Sequence, residues 1–562
     1  MPKRLLFFVV LMIAILPVQP VSAHATLVRA DPPIGATLAS APSQVVLEFA
    51  EPVDPALSEF RLFDRQNRRI EIPPFQIDPA DPLVVRLPMP SLSNGAYTVL
   101  WRVRSLTDGH VSEGSLPFGI GEAAPTFSLI PPPGSPDPAT RLPNPFESLA
   151  RWLGLLATIL SFGSAVFLLA IWRPTYTPAF AILDRQLLAW LKRLIPIGAG
   201  LALFATILLL LVQAGQAVGG GLLAGIGAPA LTILGGSVGW AWWLRLAVAL
   251  ALFGIAPRLT SVAERAGPWW LLAGLGALFM ISQSATSHAS AAATPLALLA
   301  DWLHRIAMVA WIGGLIPLFI LLWAARQANL GQQLSQLNHT VLRFSALSIL
   351  AVVMLSLSGS ASAAIQIGSF ELLGATTYGR ALSLKIGLFA ILFLLGAVNL
   401  LRHSPRMAKG KSAIPLMRSI GIELLVAGGV LASAAVMTSV APSQAAWAEQ
   451  QQQGIANTAQ VGDVGLTLRV APAQIGNNQF AVDISDTRPG AAEAPTRVIM
   501  RFHMIGMEMG ELETIAEPTA IPNRYTAQGS YMSMGGRWQV DVVLRRAGFE
   551  DAQHTFTLDV VR

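Results

Sequence analysis

The 562-residue chain has no cysteine. That excludes a disulfide framework, thiolate zinc sites and a cysteine nucleophile. Any soft-metal chemistry must therefore use the 8 histidines and 15 methionines. Charge is scarce as well. Only 12% of residues are Asp, Glu, Lys or Arg, against roughly 25% in a soluble globular protein. With 53% hydrophobic residues and a mean hydropathy of +0.55, the composition is that of a membrane protein. The net charge of +6 reads as basic cytoplasmic loops, and nucleic acid is not an expected partner. No G-x-x-x-x-G-K-[ST] loop and no Asp-Lys-Thr-Gly-Thr phosphorylation loop occurs. Transport, if this is a transporter, is then passive, ion-coupled or driven by reduction of the cargo.

Residues 1–23 read as a secretory signal: Lys3 and Arg4, an apolar run from Leu5 to Leu16, and small residues Val21-Ser22-Ala23 before the cleavage point. Cleavage there makes His24 the new N-terminus. From 24 to 121, short apolar runs such as Val45–Phe49, Leu83–Leu87 and Tyr97–Val103 alternate with Pro, Gly, Asn and Asp turns. That pattern predicts a β-sandwich. Residues 122–148 are a proline-rich linker.

The apolar bulk, 149–440, predicts an eight-helix transmembrane bundle with spans near 149–172, 187–214, 238–256, 268–286, 299–324, 340–364, 381–401 and 418–440. Each approaches the ~20 residues that cross the hydrocarbon. The fourth fades into Ser282-Gln283-Ser284. Loops after odd-numbered spans carry Arg173, Arg185, Lys192, Arg193, Arg258, Arg265, Arg326, Arg343 and the basic residues from Arg402 to Arg418. Loops after even-numbered spans hold only Arg380. The positive-inside rule then places both termini outside. A polar linker, 441–460, leads to 461–562, where alternation returns and predicts a second exported β-sandwich. The expected fold class is a multidomain membrane protein: β-sandwich, eight-helix bundle, β-sandwich.

The strongest candidate site combines His24 with Asp108-Gly109-His110. An N-terminal histidine offers an α-amine and an imidazole, a bidentate brace. Asp108 and His110 add an oxygen and a second imidazole. A mixed N,O donor set of this kind suits Cu(II). The bland alternative is a frayed terminus and a polar loop. In the apolar region, His288 falls at the outer end of span four and His304 lies about a turn into span five. Met308 shares its helix face at i+4, and Met280 is a further candidate from span four. There the bland alternative is a packing histidine with Asp301 paired to Arg305. Lys385 and Glu423 read as an intramembrane ion pair, and His339 and His403 as solvated. In the last domain His503, Met507, Met509, Met532 and Met534 could hold Cu(I) through thioethers, or the methionines could simply fill the sandwich core.

The segments His24–Leu27, Pro32–Gly35, Leu47–Val53, Tyr97–Val103 and Ser105–His110, with Gly114, resemble the CopC family of periplasmic copper-binding proteins. That resemblance implies a Cu(II) site at His24, Asp108 and His110, with Glu51 at a family acidic position near the metal. Asp301–His304, Trp311–Gly314, Tyr378-Gly379-Arg380, Lys385, Asn399, Glu423 and Pro442 are similar to the CopD inner-membrane copper-resistance family. The stretch around Met507 and Tyr531–Trp538 resembles the YtkA-like domain attached to such transporters. The resemblances imply a copper-handling, non-enzymatic protein of the inner membrane that works in import or resistance, with import favoured. Its expected partners are copper ions and the lipid bilayer, with periplasmic copper chaperones as candidates. Two other readings of the same residues stay open: a histidine-brace copper oxidase or monooxygenase, and a haem-linked membrane electron-transfer protein.

Overall fold

The computed structural model describes residues 25–33, 36–66, 68–107, 109–121, 139–261, 265–287, 295–328, 334–453, 455–471, 473, 475–486, 497–505, 512–518, 523–545 and 550–560. His24, Asp108, His288, Met507 and Met509 lie outside these residues.

The alternating runs of the first region become strands because every second side chain can leave water. In β3 (Gln44–Phe49) Val45, Leu47 and Phe49 point inward while Val46 and Glu48 are half-exposed. Nine strands make two facing sheets: β1-β3-β7-β6, from Leu27–Asp31, β3, Val84–Pro88 and Gln76–Ile77, and β2-β9-β8-β4-β5, from Thr37–Leu38, Val111–Ile120, Gly95–Arg104, Glu59–Asp64 and Arg69–Ile70. Phe49 of one sheet meets Trp101 of the other edge to face at 5.3 Å. Trp101 lies opposite Gly114 in the β8–β9 register, and a Cβ there would come within 2.3 Å of the indole.

Among the described residues ten helices of eight residues or more follow: α1 (Pro145–Thr175), α2 (Pro178–Ala217), α3 (Ala228–Gly235), α4 (Gly239–Ser261), α5 (Gly267–Ser284), α6 (Pro295–Gln327), α7 (Leu334–Ile367), α8 (Thr377–Ala408), α9 (Ile414–Thr438) and α10 (Ser443–Gln453). Seven of them are long and apolar enough to cross a membrane. The expected fourth span is the exception to a count of eight: α5 forms a helix of 18 residues that ends in Ser282-Gln283-Ser284 and is not among the seven. At the bundle centre α1 and α6 touch through glycine. A Cβ on Gly163 would lie 2.5 Å from Gly313 Cα, so the two backbones approach as only small residues allow. Gly163 closes a π-turn, Ile159–Gly163, in α1.

The last region folds into eight strands in the order β10-β11-β12-β15-β14-β13-β16-β17, from Ile455–Val461, Val464–Ala471, Gly476–Asp486, Arg524–Met532, Leu512–Pro518, Arg497–Met504, Gly536–Arg545 and Ala552–Val560. Asn457 Nδ2 donates to Thr557 O at 3.3 Å, bringing the first strand of that order against the last. On β12, Asp483 accepts from Arg469 Nε at 2.6 Å and Arg524 Nη2 at 2.9 Å. Burial acts to raise its pKa. The hydrogen bonds from Arg524 and Arg469 outweigh that, and the carboxyl is held below its ordinary value.

Two stability predictions follow from these contacts. Gly163→Leu wedges α1 from α6 and lowers the thermal midpoint of the detergent-solubilised protein, by about 1–3 kcal/mol or more of overpacking strain. Gly254→Leu, where the added carbon meets open space, leaves it unchanged. Asp483→Asn destabilises the last domain by about 1 kcal/mol at neutral pH. Because the folded pKa is the lower one, the wild-type advantage is complete above about pH 4 and disappears as the pH falls through that folded value. Thermal melting as a function of pH checks it.

Candidate functional site

The loop after β8 is shaped by side chains beneath it. Arg104, at 1% exposure, is ion-paired with Asp54 at 3.0 Å, and Asp54 N–H donates to Arg104 O at 2.8 Å. Removing one partner of such a buried pair strands a charge, so the pair locks the loop base. Ser105 Oγ donates to Glu51, which is 2% exposed, and accepts from Thr107 N at 2.9 Å. Ser105 N donates to His110 O at 2.9 Å. Gly109 adopts φ +77, and a Cβ there would lie 2.9 Å from Arg104 Nη2, so glycine is required on both counts. The loop thereby holds His110 on the same short segment as Glu51's partner Ser105. On the other side, Ala50 N donates to Thr26 O at 2.8 Å, which runs the chain after His24 beside Glu51.

This loop sits on the end of the helical bundle. The ideal Cβ position of Gly109 is 3.6 Å from Gln213 Oε1 of α2. Arg102 Nη2 donates to Gln216 O at 2.6 Å, and Leu57 packs on the buried cluster of Leu210, Ala214, Ile233 and Trp242. Below lies Glu147, 2% exposed in the first turn of α1, where Asn144 caps the helix and Pro145 begins it. Its carboxylate accepts from Arg151 Nη2 at 2.7 Å and Gln216 Nε2 at 3.2 Å, and it lies within electrostatic reach of His110. Sequence reasoning passed over Glu147, Gln213 and Gln216. The available signal was a carboxylate and two carboxamides at the ends of otherwise apolar runs.

A larger polar station lies deeper. Asp301 and Arg305 are paired at 2.8 Å, as the bland alternative expects. Arg305 also donates to Ser284 Oγ at 3.1 Å and Gln283 Oε1 at 3.4 Å. Arg245, 3% exposed, reaches the same end of α5. Its Nη2 donates to Ser282 O at 2.7 Å and Thr286 Oγ1 at 2.6 Å, and its guanidinium lies 4.6 Å from the Trp242 ring centre. His304 Nδ1 is 2.7 Å from Ser358 Oγ, and Ser358 Oγ donates to Met354 O at 2.6 Å. With the hydroxyl donating to that carbonyl, Nδ1–H is the matching donor, and Nε2 is then the ring nitrogen whose lone pair a metal could take. Ser358 was not foreseen; only its polarity within an apolar helix marks it. Met308 and Met280 both pack in the apolar core of the bundle.

The expected Lys385–Glu423 ion pair does not form. Glu423 accepts from Asn399 Nδ2, and Lys385 precedes Asn399 by fourteen residues of α8, a rise of about 21 Å. His339 is exposed and His403 half-buried. Ser358, the partner of His304, is nineteen residues from His339 on α7, about 28 Å of helix, while His288, the other intramembrane histidine, lies outside the described residues. Among the described residues no group of three or more His, Asp or Glu side chains is poised to hold a metal ion.

In the last domain, His503 and Met504 alternate on β13 and face opposite ways. His503 Nε2 contacts Gln539 Oε1 and its Nδ1 is 3.9 Å from Asp541. Met532 is fully buried in the core, while Met534 is half-buried and its carbonyl accepts from Trp538 Nε1 at 3.0 Å.

Residues 27–121 match the CopC domain, residues 143–298 the copper resistance protein D-like N-terminal domain, and residues 338–437 copper resistance protein D. Copper transport protein CutJ of Bacillus subtilis (strain 168) is 27% identical over 556 residues, 95% of this chain and 95% of that protein. Protein YobA of Escherichia coli (strain K12) is 32% identical over 99 residues, 17% of this chain and 79% of YobA. The solved CopC from Methylosinus trichosporium OB3b is 30% identical and covers 18% of this chain and 99% of its own, with a TM-score of 0.17. One chain thus carries matches to a CopC domain and to copper resistance protein D domains, together with helices long and apolar enough to cross a membrane.

Proposed function

We propose that this protein moves copper across the inner membrane, inward, by capturing Cu(II) on its first β domain and handing copper to the bundle. The observation that carries this reading is the seat of the Gly109–His110 loop on the mouth formed by Gln213, Gln216 and Glu147. A capture site held at the mouth raises the local concentration of cargo without any new contact. The relatives support copper as the cargo: the families matched are copper-resistance families, and CutJ is a copper transport protein.

In this reading His24, Asp108 and His110 are the Cu(II) ligands, and Glu51 orients the loop through Ser105. Copper then meets His304 Nε2, with Met308 one turn further on the same helix. His288 belongs to the same outer station. The basic loops at the far end of the bundle face the cytoplasm. Both β domains are then exported, and the segment before His24 is removed as a signal peptide. The last domain is read as YtkA-like. There His503 with Met507, Met509, Met532 and Met534 is proposed to take Cu(I), and periplasmic chaperones are proposed to deliver to the first domain. Copper is handled as cargo and not as the cofactor of an enzyme.

Copper accumulation by cells separates these roles. Ser358→Ala keeps the imidazole and removes the group that orients it, lowering copper affinity at the His304 station about tenfold, as loss of an outer-shell partner does. Arg102→Ala leaves Cu(II) binding by the first domain intact and lowers uptake, because the domain loses its bond to Gln216. His24→Ala abolishes capture. If accumulation is unchanged in both His24→Ala and His304→Ala, transport by this route is wrong, and oxygen-dependent ascorbate consumption by the protein would favour the oxidase reading instead.

A further inference from the structure

The outer station leaves one buried acid unused. Glu423 of α9 is 2% exposed within a spanning helix. Its one hydrogen-bond partner among the described residues is neutral, the side-chain amide of Asn399, at the start of the π-turn Asn399–His403 in α8. Two oxygens beside it have no partner among the described residues. They are Asn399 Oδ1, on a side chain 9% exposed, and Ser419 Oγ, on a side chain 7% exposed and one turn before Glu423 on the same face of α9.

Among the described residues no cation offsets the carboxyl. The charged and titratable groups on the helices packed against α9 are Tyr378, Arg380, Lys385, Arg402, His403 and Arg406 of α8, Asp301, His304, Arg305 and Arg326 of α6, and Glu147, Arg151 and Arg173 of α1. None of them, and not Arg418 of α9 itself, forms an ion pair with Glu423. An unpaired carboxylate at this depth costs several kcal/mol or more. A protonated one has an O–H to donate, and Asn399 Oδ1 and Ser419 Oγ are acceptors that lack a donor. Acid and amide then satisfy each other, the amide N–H on one carboxyl oxygen and the carboxyl O–H on an acceptor beside it.

We propose that Glu423, with Asn399 and Ser419, is a proton-binding site in the cytoplasmic half of the bundle, and that its loading and release accompany the passage of copper. The coupling part rests on the transport reading above; the proton site does not. The step is a proton equilibrium alone: one proton joins the carboxylate to make the acid, and the same O–H bond breaks on release, with no electrons transferred. A π-turn at the partner residue fits a functional position, since such turns interrupt the regular helical ladder where a side chain must be placed.

Infrared difference spectra of the full-length protein between acid and alkaline buffer test the site without copper. The expected result is a protonated-carboxyl stretch that is absent in Glu423→Gln, an isosteric change, and shifted in Asn399→Leu. A spectrum unchanged in Glu423→Gln overturns the proposal. For the coupling, full-length protein in liposomes is given copper with and without a pH gradient. The gradient changes the initial copper flux several-fold in wild type, not in Glu423→Gln, and again in Glu423→Asp. A gradient effect that persists in Glu423→Gln overturns the coupling. Absence of copper flux in wild type overturns the transport reading, and the infrared result still decides the proton site.

Discussion

Inside a bilayer a polar group has no water to fall back on, and the whole bundle is organised by that constraint. Its buried polar side chains are met by hydrogen bonds between helices that are distant in sequence, and two such groups stand out. At the β-domain end, Arg305 and Arg245 converge on the Ser282–Thr286 turn, and His304 leans on Ser358. Deeper, Glu423 meets Asn399. Between them the helices present packed rings and aliphatic chains, such as Trp311 against Phe389 at 5.8 Å.

The same constraint explains the seating of the first β domain. The ends of α1 and α2 carry Glu147, which accepts from Arg151 and Gln216, and also Gln213. They face Arg102 and the Gly109–His110 loop. The buried Arg104–Asp54 pair stiffens that loop from below. A rigid loop over a polar mouth is a different object from a tethered domain diffusing at the end of a proline-rich linker. Tethering raises concentration, whereas docking also fixes direction.

Much of the fold was legible because it is periodic. Alternation along Val45–Phe49 and Tyr97–Val103 marks half-buried strands, and the apolar runs mark spans, because burial of each side chain depends on its immediate neighbours in the chain. The Asp301–Arg305 pair was legible for the same reason, being one helical turn apart. What could not be read was long-range. Nothing near Glu423 in sequence says that its partner is Asn399 rather than Lys385, and nothing near His304 points to Ser358. The end of α5 was ambiguous because its serines and glutamine are polar and serve Arg245 and Arg305 as hydrogen-bond acceptors. The CopC-type loop was legible as a pattern of residue types, while its placement over Gln213 was not.

The glycine contact between α1 and α6 has a mechanical meaning. Because neither Gly163 nor Gly313 carries a Cβ, the two backbones approach more closely than any other residue pair would allow; an added Cβ at Gly163 would lie 2.5 Å from Gly313 Cα. One of these helices begins under the docked β domain at Glu147, and the other bears His304. The contact thus ties the helix below the β domain directly to the helix of the first station. Helices α8 and α9 turn Leu384, Ile391, Leu394, Ile422 and Leu425 outward, an apolar face suited to lipid. The opposite side of α9 packs on that same pair, α1 and α6, so the helix that carries Glu423 bridges the glycine seam and the apolar rim.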